Sequence, residues 1–261
     1  MTTVLVAGGT GTAGRAAVAE LAGRGHTVRV LTRRVPPGLP AGAVHTPGDL
    51  TTGAGLVDAL AGVDVLVSAV DGRTKATRPV FTDGARNLVA AAKTAGVRRA
   101  VLLSIVGVDR LSFSYYAAIA EQERIWAASD VDTTIVRSTQ FHTLLSAVFA
   151  GAARVGVLPA VRGARFQPIA PADVGRALAD AALADATAGR VEVGGPEVAS
   201  MRDLARTWKR VTGSRAVVLG LPVPGAPGRF LREGRNLTPE NRYGTVTFEH
   251  WLTEKRRLAG N

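Results

Sequence analysis

The chain has 261 residues, enough for one large domain or for a domain carrying an extra lobe, with ample length for a real core. It contains no cysteine, which excludes a disulfide scaffold. The net charge of +11 comes almost wholly from arginine; those arginines are scattered, and no basic stripe alternates with aromatics, so the charge speaks for attraction of a small anionic ligand and against nucleic acid. No segment offers about 18 unbroken apolar residues, and the residues after Met1 lack the charged flank and long apolar run of a signal peptide. A cytoplasmic protein without membrane partners, either monomer or homodimer, is expected.

The first element is a short apolar run, Val4 to Ala7, that breaks into Gly8, Gly9, Thr10, Gly11, Thr12, Ala13 and Gly14. A buried strand ends there and a helix begins, with Val18, Leu21 and Ala22 on one helical face. The spacing of Gly8, Gly11 and Gly14 is what a pyrophosphate requires: a turn with no Cβ in the way, close backbone approach, and helix packed tightly on strand. Gly8, Thr10, Gly11, Thr12, Ala13 and Gly14 are therefore expected to hold a dinucleotide's phosphates at the helix N-terminus.

Thr27 to Thr32 alternates like a second strand and ends in Arg33 and Arg34. About 20 residues past the glycines this kind of fold selects its cofactor, with an acid for the ribose 2′-OH or an arginine for a 2′-phosphate. No acid stands there, so the expected cofactor is NADP(H), with Arg33 and Arg34 on the phosphate. Ala43 to Thr46 reads as a third strand, and the following Asp49 and Leu50 as the adenine edge. A fourth strand, Val63 to Val70, would pass the cofactor at Ser68 and Ala69, since ligands bind beyond the carboxyl ends of strands. Helical spacing runs from Pro79 to Ala95, and Gly96 stops it.

Arg99 to Ser104 is a fifth strand, followed by a loop in which Ser104 could be catalytic. A helix from about Tyr115 to Ser129 and a strand from Thr133 to Arg137 continue the alternation. Strand, helix, strand argues for an α/β fold, a Rossmann-type doubly wound parallel sheet with helices on both faces. After Ser138 prolines and glycines thicken between shorter elements: helices near Ala172 to Ala184, Met201 to Val211 and Thr247 to Leu258, and a strand at Arg190 to Val193. The expected division is a cofactor-binding domain over residues 1–152 and a smaller substrate lobe over 153–261, partly interwoven with it. Trp208 and Trp251 are expected in its core. No His/Asp/Glu cluster has metal-ligand spacing.

Several stretches together resemble a known family: GGTGTAG at Gly8 to Gly14, Gly48-Asp49-Leu50, Ser104-Ile105-Val106-Gly107, Tyr115-Tyr116, and Arg137-Ser138-Thr139-Gln140-Phe141-His142. They look like the atypical short-chain dehydrogenase/reductases, NmrA-like branch, over most of the chain. The resemblance implies a Rossmann domain with a small substrate lobe, and either reductase activity or NADP(H) sensing. It also places Ser138 on the nicotinamide side. Enzymes of that superfamily use a YxxxK pair, in which tyrosine donates a proton and lysine holds the ribose and lowers the tyrosine's pKa. Here Tyr115 is followed four residues later by Ile119, and Tyr116 by Ala120.

Without an ammonium nearby, a phenol with an ordinary pKa of about 10 can donate a proton but is a poor base at neutral pH. Reversible alcohol oxidation is then disfavoured. Reduction of a quinone-like or otherwise conjugated carbonyl remains, with Tyr115, Ser104 or His142 as proton donor. The other class is a catalytically inactive NADP(H) sensor that regulates a partner. Glu123, two turns beyond Tyr115, is expected in a structural ion pair.

Overall fold

The computed structural model describes residues 1–72, 74, 77–186 and 189–259. Its strands, in chain order, are β1 (Thr3–Ala7), β2 (Thr27–Thr32), β3 (Ala43–Pro47), β4 (Val65–Ser68), β5 (Arg99–Ile105), β6 (Asp132–Ser138), β7 (Val157–Val161), β8 (Arg165–Phe166), β9 (Arg190–Val193), β10 (Ala199–Ser200) and β11 (Val217–Leu221). The helices are α1 (Thr12–Gly23), α2 (Leu56–Leu60), α3 (Asp83–Thr94), α4 (Ser114–Ala127), α5 (His142–Ala153), α6 (Pro171–Leu183), α7 (Met201–Thr212), α8 (Gly225–Arg232) and α9 (Phe248–Ala259).

Val4 to Ala7 are all buried, as a strand covered on both faces must be. Strand β1 therefore sits mid-sheet, parallel to β2 on one side and β4 on the other. The pairs β2 with β3 and β4 with β5 are parallel too. Among the described residues seven strands form one sheet in the order β3-β2-β1-β4-β5-β6-β9. The chain leaves β1 in one direction and later returns to the other side of it at β4. That reversal opens a crevice at the strands' carboxyl ends, the usual ligand position in a doubly wound sheet.

The chain divides into two compact units, each discontinuous in sequence: residues 1–104, 112–137 and 174–191 in the first, and 105–111, 138–173 and 192–261 in the second. The first has a core in which Leu5, Leu66, Leu102, Leu88 and Trp126 are buried together. The second packs Phe149, Leu158, Phe166, Leu204, Trp208 and Phe248. Trp208 gains a partner for its indole N–H in Ser146 Oγ at 3.1 Å, and Trp251 lies half-buried, stacked on Phe248.

Two local readings change. The helical stretch from Pro79 splits into a 3-10 turn, Arg78–Phe81, and then α3. Thr82 N–H closes a three-residue bond to Pro79 O at 3.1 Å, which tightens the turn instead of extending it into α3. In the second unit, β7 and β11 pair in parallel from Val157 with Val217 to Val161 with Leu221. Pro159 inside β7 is tolerated because this is a two-stranded sheet with edges on both sides.

Candidate functional site

The glycine turn is built by close approach. Gly8 has φ of +78°, and a Cβ there would stand 2.5 Å from Ala69 O at the end of β4. A Cβ on Gly14 would stand 2.1 Å from Gly8 O. Gly11 N–H bonds Gly8 O at 2.9 Å, which closes the turn. Helix α1 then starts at Thr12 with no side-chain cap and no acid in its first turn. Its first N–H groups and positive dipole end face outward without a competing carboxylate, the arrangement that receives a phosphate.

A cavity of about 870 Å³ lies along this turn, lined among others by Gly8, Thr10, Arg33, Arg34, Asp49 and Leu50. Six of the expected cofactor residues thus meet around one space. Arg33 and Arg34 are exposed, and neither makes an ion pair among the described residues. Thr32 Oγ1 donates to Arg34 O at 2.6 Å and fixes the backbone that carries them. Hydrogen bonds hold the loop at Asp49 and Leu50: Asp49 Oδ1 accepts from Thr51 N at 2.8 Å, and Asn87 Nδ2 of α3 donates to Leu50 O at 2.9 Å. Thr12, Ala13 and Gly14 make the helix start. Ser68 and Ala69 are buried at the end of β4, where Ala69 lends its carbonyl to the contact with Gly8. The shape, the phosphate cradle and the unpaired guanidinium groups fit a dinucleotide.

The three proton-donor candidates are placed very differently. Tyr115, in the first turn of α4, donates its hydroxyl to Asp71 Oδ1 at 3.1 Å, and Asp71 lines the cavity. Phe81 meets Tyr115 edge-on at 5.8 Å, and Phe113 stacks on Tyr116 at 4.8 Å. Burial pushes the Tyr116 phenol pKa up, which keeps that ring neutral. Ser104 is buried, and its Oγ donates inward to Glu123 Oε1 at 2.5 Å. Glu123 also receives Arg137, an ion pair between side chains only 3% and 6% exposed.

Ser138 and His142 belong to the second unit. Ser138 is buried, and its carbonyl accepts Val106 N–H at 3.0 Å. His142 is fully buried at the start of α5. Its Nε2 is 2.9 Å from Val246 O, so Nε2 carries the proton, and Nδ1 is left buried without a partner. Burial drives its pKa down to about 4, partly opposed by the Val246 carbonyl and by Asp173. A neutral imidazole wedged beside Phe248 and Trp251 is a packing element.

Asp71, Thr77, Val80, Pro36 and Thr51 also line the cavity, and sequence reading assigned none of them. Asp71 directly follows β4's apolar exit, which is a positional signal; Thr77 and Val80 carry none.

The matching family model, NAD(P)H-binding, covers residues 8–186. A (4-alkanoyl-5-oxo-2,5-dihydrofuran-3-yl)methyl phosphate reductase of Streptomyces griseus subsp. griseus is 31% identical over 217 residues, 80% of this chain and 74% of that protein. A 3-beta-hydroxysteroid dehydrogenase of Mycolicibacterium neoaurum is 38% identical over 112 residues, and the chain spans only 30% of its length. Among solved structures, an NADPH-dependent quinone oxidoreductase of Escherichia coli complexed with NADPH superposes with a TM-score of 0.81 at 18% identity, covering 97% of this chain and 99% of that one. Glycine cradle, sheet order and family match agree: the chain belongs to the NAD(P)H-binding family, with the fold of the atypical short-chain dehydrogenase/reductases.

Proposed function

We propose that the chain is an NADPH-dependent reductase that delivers a hydride to a flat, conjugated acceptor, a quinone or an enone. The observation that carries this reading is Ile119, 3% exposed, at the position where a YxxxK enzyme would hold its lysine. A buried aliphatic side chain cannot hold a ribose hydroxyl or stabilise a phenolate, so Ile119 gives Tyr115 none of the help toward ionisation that the lysine gives in alcohol oxidation. A conjugated acceptor needs less help, because the incoming charge spreads over the π-system.

When bound, the reduced nicotinamide supplies the hydride. The chain's residues do the rest: Gly8 to Gly14 and the start of α1 hold the pyrophosphate, Asp49 and Leu50 border the adenine, and Arg33 and Arg34 meet the 2′-phosphate, which selects NADPH over NADH. Fixing donor and acceptor in one place can contribute about 7–11 kcal/mol. Of the three donor candidates, Tyr115 has its hydroxyl bonded to a cavity-lining residue. The Streptomyces relative's name describes an acyl-substituted unsaturated lactone, an acceptor of the same electronic kind.

The test is to mix the protein with NADPH and a panel of quinones and enones and follow loss of nicotinamide absorbance. Turnover with conjugated acceptors is expected. Tight NADPH binding with no turnover on any acceptor would instead assign the chain to the sensor class.

A further inference from the structure

Strands β7 and β11 run parallel, so their carboxyl ends share one rim of the second unit. There Arg162 N–H donates to Leu221 O at 3.0 Å and ties the two strand ends together. Gly220, one residue earlier, has no side chain, and cations take the space. A Cβ on it would stand 2.8 Å from Arg202 Nη2, carried by the first turn of α7, and 3.4 Å from Arg162 Nε. Two guanidinium groups from different elements thus converge on one point of β11. Close by in the chain, the stem of Arg232 lies over Gly163, where a Cβ would meet its Cγ at 3.2 Å, and Arg232 Nη1 donates to Val223 O at 3.0 Å.

This gathering of charge is unbalanced. Other arginines of the unit are matched with carboxylates: Arg206 with Asp203, Arg210 with Glu249, Arg235 with Glu233 and Arg257 with Glu254. Asp203 follows Arg202 in sequence, but its oxygens go to Arg206 and to the Ser200 hydroxyl. Arg162, Arg202 and Arg232 make no ion pair among the described residues. Like charges brought to one point repel, so the arrangement costs stability until an anion joins it. Gly220 adds to that cost, since a glycine inside a strand weakens the strand; its use is to let another group approach the backbone closely.

We propose that Arg162 and Arg202, converging over Gly220, form a binding site for the phosphate group of a small molecule. The site is built within the second unit, its arginines are not among the residues lining the cavity at the glycine turn, and it does not rest on the reductase reading. A phosphate monoester carries close to two negative charges at neutral pH, which two guanidinium groups balance. Each guanidinium presents a planar fork of donors that fits a pair of phosphate oxygens. Two cations meeting at one point suit a compact ligand, whereas a polyanion's backbone would call for a stripe of them.

The test is a titration of inorganic phosphate, and separately of phenyl phosphate, into the full chain, followed in a nitrogen–proton correlation spectrum. Ionic strength is held constant, because exposed charges are screened by salt. The amides of Leu221 and Gly163 report this site, while Gly11 reports the turn before α1, so binding at the dinucleotide cradle is read separately from binding here. Leu221 and Gly163 are expected to shift with one saturable dissociation constant. A tighter constant for phenyl phosphate identifies an ester as the ligand, and equal constants identify the free ion. Arg162→Ala and Arg202→Ala are each expected to weaken binding roughly tenfold, the loss of a charge-assisted hydrogen bond. Gly220→Ala keeps both charges but sets a methyl group where the end of Arg202 lies; it is expected to weaken binding several-fold while the melting temperature holds. Arg206→Ala makes the same change in net charge on α7 and is expected to bind within about twofold of the parent. The proposal is overturned by a Leu221 amide that shows no saturable shift, by equal losses from Arg206→Ala and Arg202→Ala, or by a folded Gly220→Ala chain that binds phosphate as tightly as the parent.

Discussion

Arg137 clasps Glu123 in the interior of the first unit: its Nε and Nη2 reach the two carboxylate oxygens at 2.8 and 2.6 Å. Ser104, near the end of β5, adds a third bond to the same carboxylate, so this serine serves to satisfy a buried charge. Removing one member of a buried pair leaves the other unpaired, at a cost of about 3–5 kcal/mol. Glu123→Ala should thus lower the unfolding free energy by that order in urea titration, whereas Ser104→Ala, which leaves the ion pair intact, should cost less, about 1.5–3 kcal/mol for one hydrogen bond to a charged group.

The glycines are not equivalent. A Cβ at Gly14 would meet Gly8 O at 2.1 Å, while one at Gly11 would meet the same atom at 3.3 Å. Backbone cannot yield to the first contact without moving α1 off β1. Gly14→Ala is expected to abolish measurable NADPH binding and to depress the melting temperature, and Gly11→Ala to retain binding within about tenfold, or about 1.4 kcal/mol. Equal effects of the two would contradict the close-packed turn.

Arg33 and Arg34 are proposed to read the 2′-phosphate. Hydrogen bonds to charged groups contribute about 1.5–3 kcal/mol, so Arg33→Ala together with Arg34→Ala should weaken NADPH by at least about tenfold and barely change NADH. Isothermal titration with both cofactors decides it; a parallel loss for both would mean that the arginines do not discriminate.

His142 makes a pH prediction with a definite sign. Its pKa in the folded chain is about 4, against an ordinary value of 6.5. Below pH 6.5 the unfolded chain takes up a proton there and the folded chain does not, so stability falls as pH drops, and the loss is complete only below about 4. Over that window it amounts to about 3 kcal/mol. His142→Phe should flatten the difference in unfolding free energy between pH 6.5 and 4 by that order. An unchanged slope would show that the imidazole is accessible to protons in the folded state.

The first half of the chain is legible because its signals are local. Alternation at Thr27 to Thr32, the apolar run before Gly8 and the stop at Gly96 each specify an element without help from distant residues. The second half is less so. Helix α5 is rich in alanine and leucine without a clear polar face, β7 holds a proline, and its partner β11 lies about 60 residues on, so neither strand announces the other. The compact units take three segments each, alternating along the chain, and no local pattern marks where one gives way to the other. In the site, the phosphate cradle and Arg33 to Arg34 follow from spacing. The bond from Tyr115 to Asp71 does not, since no sequence period relates residues on different elements, and the inward turn of Ser104 depends on a carboxylate 19 positions away.

The central claim, a site that reduces easy electrophiles because Ile119 stands where a YxxxK enzyme holds its lysine, is tested most directly by comparing matched substrates on one preparation. Cyclohexenone or naphthoquinone with NADPH is set against cyclohexanone with NADPH and cyclohexanol with NADP⁺. The account predicts nicotinamide turnover with the conjugated acceptors and rates at least about a hundredfold lower, nearly 3 kcal/mol in barrier, with the saturated pair. Oxidation of the alcohol at a rate comparable to quinone reduction would contradict it.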